Sequence, residues 1–200
     1  MQLSDRAKEL IPKARIVSFD RWDAYLSAAI AQRFQDADDA SRYLTDEDFA
    51  ALQPLAEPSV RDVPLEPINL QLSLQLREQA NDIVTEARGQ VLEQFPSITD
   101  PGGDLYPEIR ADACWRDFWQ FLRCVSYGIA GNNTNYLSQE GLGYMAQLYE
   151  ELKVPLPAMV AGIKALRLAS ISHCQPAYPD DISNTVSSYF QPLIDALEAF

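Results

Sequence analysis

Residues 100–131 read DPGGDLYPEIRADACWRDFWQFLRCVSYGIAG. Within them Phe118, Phe121, Leu122, Val125 and Ile129 recur at steps of three and four, which lays an apolar stripe along one helix. Pro101-Gly102-Gly103-Asp104 is turn chemistry that opens the segment, and Gly131-Asn132 closes it. The pattern predicts a long helix with one face in a core.

The same reading extends outward in both directions. Ile182, Val186, Tyr189, Phe190, Leu193, Ile194 and Leu197 form a second stripe, interrupted by Pro192, which should bend the helix or cost stability. Two helices are predicted over 138–152 and 157–173, separated by Pro155 and Pro157. Near the front, residues 20–36 read as helix, and Thr45-x-x-Asp48 is a capping box that starts another. Pro54, Pro58, Pro64 and Pro67 make 53–67 a loop or a broken helix. Leu70, Leu72, Leu74 and Leu76 alternate as a strand would, but a lone strand has no partner in this chain. Ile83, Val84, Ala87 and Val91 continue at helical spacing, so 70–91 is read as helix. The prediction is an all-α fold, with no composition shift to mark a second domain.

Composition removes several functions. The 200 residues carry 16 Lys and Arg against 29 Asp and Glu, a formal net charge of −13. So acidic a surface repels nucleic acid and anionic lipid. No apolar run approaches the eighteen or so residues of a spanning helix, and MQLSDRAKELIPK lacks the apolar core of a signal peptide. The chain is expected to stay in the compartment where it is made. Cys114, Cys124 and Cys174 have no metal-binding spacing and are odd in number, against a disulfide framework. One histidine, His173, leaves little room for metal sites or Ser-His-Asp catalysis. Glycine-rich phosphate loops and zinc-protease motifs are missing, and an enzyme is not expected.

Three pieces of the quoted stretch carry a resemblance: Pro101-Gly102-Gly103, Cys114-Trp115-Arg116-Asp117, and Leu122-Arg123-Cys124-Val125-Ser126-Tyr127. Further pieces are Arg42-Tyr43-Leu44-Thr45, Gln94-Phe95-Pro96, Leu148-Tyr149, Pro155-Leu156-Pro157-Ala158, Ala161-Gly162-Ile163 and Ser188-Tyr189-Phe190. In this order and spacing the chain resembles a divergent member of the phycobiliproteins, the family of allophycocyanin and phycocyanin subunits. The resemblance covers about residues 24–200. It implies a globin-like helical bundle over 24–200, with residues 1–23 as an N-terminal helical extension. It also implies N-terminal helices that dock a partner subunit, and a phycocyanobilin-type linear tetrapyrrole joined by a thioether to Cys114.

The residue types suit that cofactor. A thiol adds to an ethylidene carbon and leaves a stable thioether. Asp117 sits one turn above Cys114 and can accept hydrogen bonds from pyrrole N–H groups. Arg116, and Arg110 one turn before the cysteine, have the planar fork that pairs with a propionate. Trp115, Phe118 and Trp119 serve equally well as pocket or core residues. Spacing alone reads Cys114 as core, and Arg116 and Asp117 as a solvated face; the resemblance reverses those readings. Cys124 is read as core, and Cys174 and His173 as structural.

Two functions follow. One is light harvesting and energy transfer in a phycobilisome; the other is a non-enzymatic assembly or regulatory factor on the same fold, with or without bilin. Expected partners are phycobiliprotein-like subunits or photosystem and linker proteins, in a hetero- or homo-oligomer. The expected location is cytoplasmic, at the stromal or cytosolic face of the thylakoid. Three departures stand against a standard building block: about twenty extra residues, Met1–Asp20, the proline-rich 53–67, and the bulky aromatics beside Cys114.

Overall fold

A computed structural model describes residues 3–20, 22–24, 26–56, 65–175 and 182–200. Among these are the α-helices α1 (Asp5–Leu10), α2 (Ala28–Asp39), α3 (Asp46–Leu52), α4 (Pro67–Glu78), α5 (Ala80–Gln94), α6 (Glu108–Ala130), α7 (Gln139–Leu152), α8 (Leu156–Cys174) and α9 (Ile182–Glu198), and no strands. The all-α expectation holds.

α6 is the helix predicted from the quoted stretch, and its 23 residues span about 35 Å. The Pro-Gly-Gly turn precedes it rather than forming its first turn. Gly102 has φ 95°, the Gly103 N–H donates to the Asp100 carbonyl, and the Leu105 N–H donates back to Ile98. At the far end the Gly131 N–H closes on the Tyr127 carbonyl, and Asn132 takes a left-handed φ of 48°. α6 packs against α4, α5, α8 and α9, while α8 lies between α5 and α9. Gly162 of α8 lets α6 come close: a Cβ there would sit 2.0 Å from the Phe118 ring.

The front of the chain departs from the predicted helix over 20–36. Trp22–Ala24 form one 3-10 turn, and α2 begins only at Ala28, after Ser27 in an extended conformation. The fully buried Trp22 is the reason, since its ring packs on Phe19 and Phe34 and holds the chain in a turn. The capping box at α3 forms as predicted: the Asp48 N–H donates to the Thr45 hydroxyl, and the Thr45 N–H to the Asp48 carboxylate. Asp48 also receives Arg33 and Arg42. Thr45→Ala is expected to cost about 1–2 kcal/mol, read as a lowered midpoint in urea unfolding.

Residues 57–64 of the proline-rich segment lie outside the described residues. Gln53–Ala56 form a 3-10 turn, and α4 opens with Pro67 in its first turn. The alternating leucines are helical: α4 buries Leu70, Leu72 and Leu76 together with Asn69 and Ser73. Its strand-like period arises because neighbours cover several sides of one helix. α9 continues through Pro192.

Candidate functional site

α6 carries two stripes, not one. Phe118, Leu122, Val125 and Ile129 are fully buried in the core, with Phe118 against α8. Cys114, Asp117, Phe121 and Cys124 also recur at helical steps, but they line a cavity of about 540 Å³. At 100° per residue the stripes are centred roughly 90° apart, so one helix serves the core and the cavity together. α7 supplies Met145, Leu148, Tyr149 and Leu152 to the cavity, α2 supplies Asp38 and Asp39, and the N-terminal segment supplies a further wall.

All four residues implied by the resemblance line this cavity. The thiol of Cys114 is buried, and burial, then the nearby Asp117 carboxylate, push it up to about 12. Burial pushes the Asp117 carboxyl up to about 6, with the Arg116 charge and a hydrogen bond from the Tyr149 hydroxyl at 3.4 Å pulling the other way. Arg116 is exposed at the cavity edge and makes no ion pair among the described residues. Arg110 is differently engaged. Its guanidinium donates to the carbonyls of Asp104, Leu152 and Lys153, at 3.1, 3.1 and 2.9 Å. Two of those acceptors sit where α7 ends in left-handed Lys153, so Arg110 satisfies carbonyls that the helix leaves open.

The aromatics beside the cysteine do not reach the cavity. Trp115 packs edge-on to Phe118 and lies under the Arg88 guanidinium, 5.3 Å from its ring centroid. Trp119 meets Tyr43 at 4.7 Å, edge to face. They lie on the other sides of α6, which decides the open pocket-or-core reading in favour of core. Cys124, read as core, is buried yet touches the far part of the cavity. Cys174 is buried at the end of α8, and the His173 ring lies 3.1 Å from Glu86 on α5.

Sequence reading missed three contributors. Tyr149 stood out only as a landmark, yet it bonds Asp117. Arg123 is buried and bridges Asp38 at 2.8 Å, the Tyr127 hydroxyl at 2.6 Å and Gln120 at 2.7 Å. Residues 3–16 sit over the cavity, and no local pattern in them points there.

The family described as Phycobilisome protein matches residues 32–197. The chain therefore belongs to the phycobilisome protein family. It is similar to the allophycocyanin alpha chain of Thermosynechococcus vestitus, 26% identical over 171 residues, covering 86% of this chain and 99% of that one. It is 36% identical over 124 residues to the allophycocyanin subunit beta-18 of Porphyra purpurea, covering 61% of this chain and 72% of that one. A solved structure of a far-red fluorescent biliprotein, derived from an allophycocyanin F subunit of Chroococcidiopsis thermalis, aligns with TM-score 0.62 at 22% identity, over 66% of this chain and 98% of that one. The globin-like phycobiliprotein fold follows.

Proposed function

We propose that this protein binds a bilin in the α6–α7 cavity and acts in light harvesting within the phycobilisome. The observation that carries the reading is the convergence of a thiol, a carboxylate and an exposed guanidinium on one cavity of suitable size. At about 540 Å³ the cavity falls well within the range of small-molecule and cofactor sites. Its donor set suits a linear tetrapyrrole, which has electrophilic carbon at one end, N–H groups in the middle and two carboxylates. The bilin, once bound, supplies the visible absorption.

Cys114 would hold the pigment covalently. Attachment joins sulfur to carbon and moves the thiol proton to the neighbouring carbon, with no redox partner. Because burial keeps Cys114 protonated at neutral pH, attachment is expected to need an assisting lyase rather than to run unaided. Asp117 would accept the inner N–H groups and favour the cationic pigment. Arg116 would pair with a propionate. Arg110 fits a positioning role better than a ligand role, since its donors tie the start of α6 to the end of α7.

The pigment type, phycocyanobilin, is the one that the resemblance favours. Partners are other phycobiliprotein subunits, with linker or photosystem proteins as further candidates. No helix among the described residues is long and apolar enough to cross a membrane, which suits a place on the cytosolic face of the thylakoid. Residues 24–200 would form the pigment domain and 1–23 its extension. The assembly-factor reading stays second, favoured by the packing of residues 3–20 on the body of the chain.

The test is co-expression with phycocyanobilin and a matched lyase, followed by a denaturing gel viewed for zinc-enhanced fluorescence. A band that disappears in Cys114→Ala is the expected result. A folded wild-type chain without a band would leave the assembly-factor reading.

A further inference from the structure

Residues 3–16 form a wall of the cavity that the four-residue reading does not require. Leu3, Ile11, Pro12, Ala14, Arg15 and Ile16 line the same space as Cys114 and Asp117. The family match begins only at residue 32, so this wall lies outside the matched region.

The segment is anchored along its length. Ala7 and Leu10 of α1 are buried, and α1 packs on α7. The Ser4 hydroxyl donates to Glu151 at 2.6 Å. Ser138 donates its N–H to the Ile16 carbonyl at 2.7 Å, and Ser18 donates to Tyr136 at 3.0 Å. The Arg15 guanidinium pairs with Asp39 at 2.6 Å and also with Asp38, which Arg123 holds from the other side. Between the anchors the fit is close: a Cβ on Gly141 would fall 1.6 Å from the Arg15 carbonyl oxygen. Any side chain at 141 must displace the strap.

We propose that residues 3–16 are an intramolecular cover of the bilin cavity, so that confinement of the pigment is a property of the single chain. The inference rests on the bilin reading for its ligand, but the cover is physically defined without one. α1 has six residues, too few to be stable as an isolated helix, so its hold on α7 comes from Ala7, Leu10 and the polar anchors. Such a strap can lift for loading and close afterwards. Closed, it withholds water from Cys114 and Asp117 and limits twisting of whatever occupies the cavity. The partly exposed Ile11, which lines the cavity, would gain burial from an occupant.

Two variants release the strap without touching α6: Gly141→Val, and a chain lacking residues 1–14. Far-UV circular dichroism first verifies the helical fold of each. In the pigment-free protein, iodoacetamide labelling of Cys114, read by peptide mass spectrometry, is expected to speed up several-fold in both variants while Cys174 stays unchanged. In pigment-loaded monomers isolated by gel filtration, the zinc-fluorescent band is expected to persist per chain while emission yield falls several-fold. Unchanged Cys114 labelling in folded variants would overturn the cover outright. Loaded variants with undiminished emission would overturn its role in confinement. Absence of the band from the wild-type chain would defeat the bilin reading instead, and labelling would still decide the cover.

Discussion

Asp117→Asn is expected to stabilise the pigment-free protein at neutral pH while weakening the colour and emission of the pigmented form. The carboxyl of Asp117 is pushed up to about 6 in the folded chain, chiefly by burial, against about 3.9 for an unperturbed aspartate. Between those values the native state holds a proton that the unfolded state releases. Stability therefore falls as pH rises from about 4 to about 6, and the cost is fully present above that window. Two pKa units correspond to on the order of 3 kcal/mol. Asparagine does not titrate, so the advantage of the variant should be absent near pH 4 and should grow to that size by pH 7. Urea unfolding of both proteins from pH 4 to 8 measures it. A constant difference between them across the window would show that Asp117 bears no such penalty. In the loaded protein the same substitution removes the carboxylate that we propose favours a cationic bilin, so absorption should move to shorter wavelength and emission should drop. A residue that costs stability in the empty protein yet lines the cavity is a mark of a functional position.

Arg123→Met is expected to be the most destabilising of these substitutions, at about 3–5 kcal/mol. Arg123 is buried, and its guanidinium joins Asp38, the Tyr127 hydroxyl and Gln120. Asp38 is buried too, and without Arg123 its carboxylate keeps, among the described residues, only Arg15, whose side chain is 45% exposed. That partial rescue places the effect toward the lower end of the range. For a chain of this size each kcal/mol moves Tm by about 2–4 °C. A fall of roughly 6–12 °C follows from about 3 kcal/mol. Because Asp38 also anchors Arg15, the variant should loosen the strap and speed Cys114 labelling in parallel. If Arg123→Met lowers Tm by no more than a surface substitution would, the network contributes little and Asp38 is satisfied by Arg15 and water.

Local order decides how far the sequence could be read. α6, α8 and α9 announce themselves because their apolar residues recur at the helical period and their ends carry glycine or proline. The Thr45–Asp48 box is equally local, since both of its hydrogen bonds span three residues. Cys114 and Asp117 share a face by spacing alone, and resemblance to a pigment-bearing family gave that face a meaning. The delayed start of α2 was not legible, because it depends on Trp22 finding Phe34. Nor could spacing assign Trp115, Phe118 and Trp119, because it does not show which side of the helix meets a cavity.

The sequence by itself determined an acidic all-helical chain, the long helix through Cys114, and the thiol–carboxylate pair one turn apart on it. Tertiary structure alone decided which face of that helix is core and which is cavity. It also brought the Arg110 guanidinium onto the carbonyls that end α7, and gathered Arg15, Asp38 and Arg123 into one network. Periodicity records that a residue is apolar at a given angle, but not what stands opposite. Asp38 lies 23 residues from Arg15 and 85 from Arg123 in sequence, and only packing of the whole chain brings those charges together.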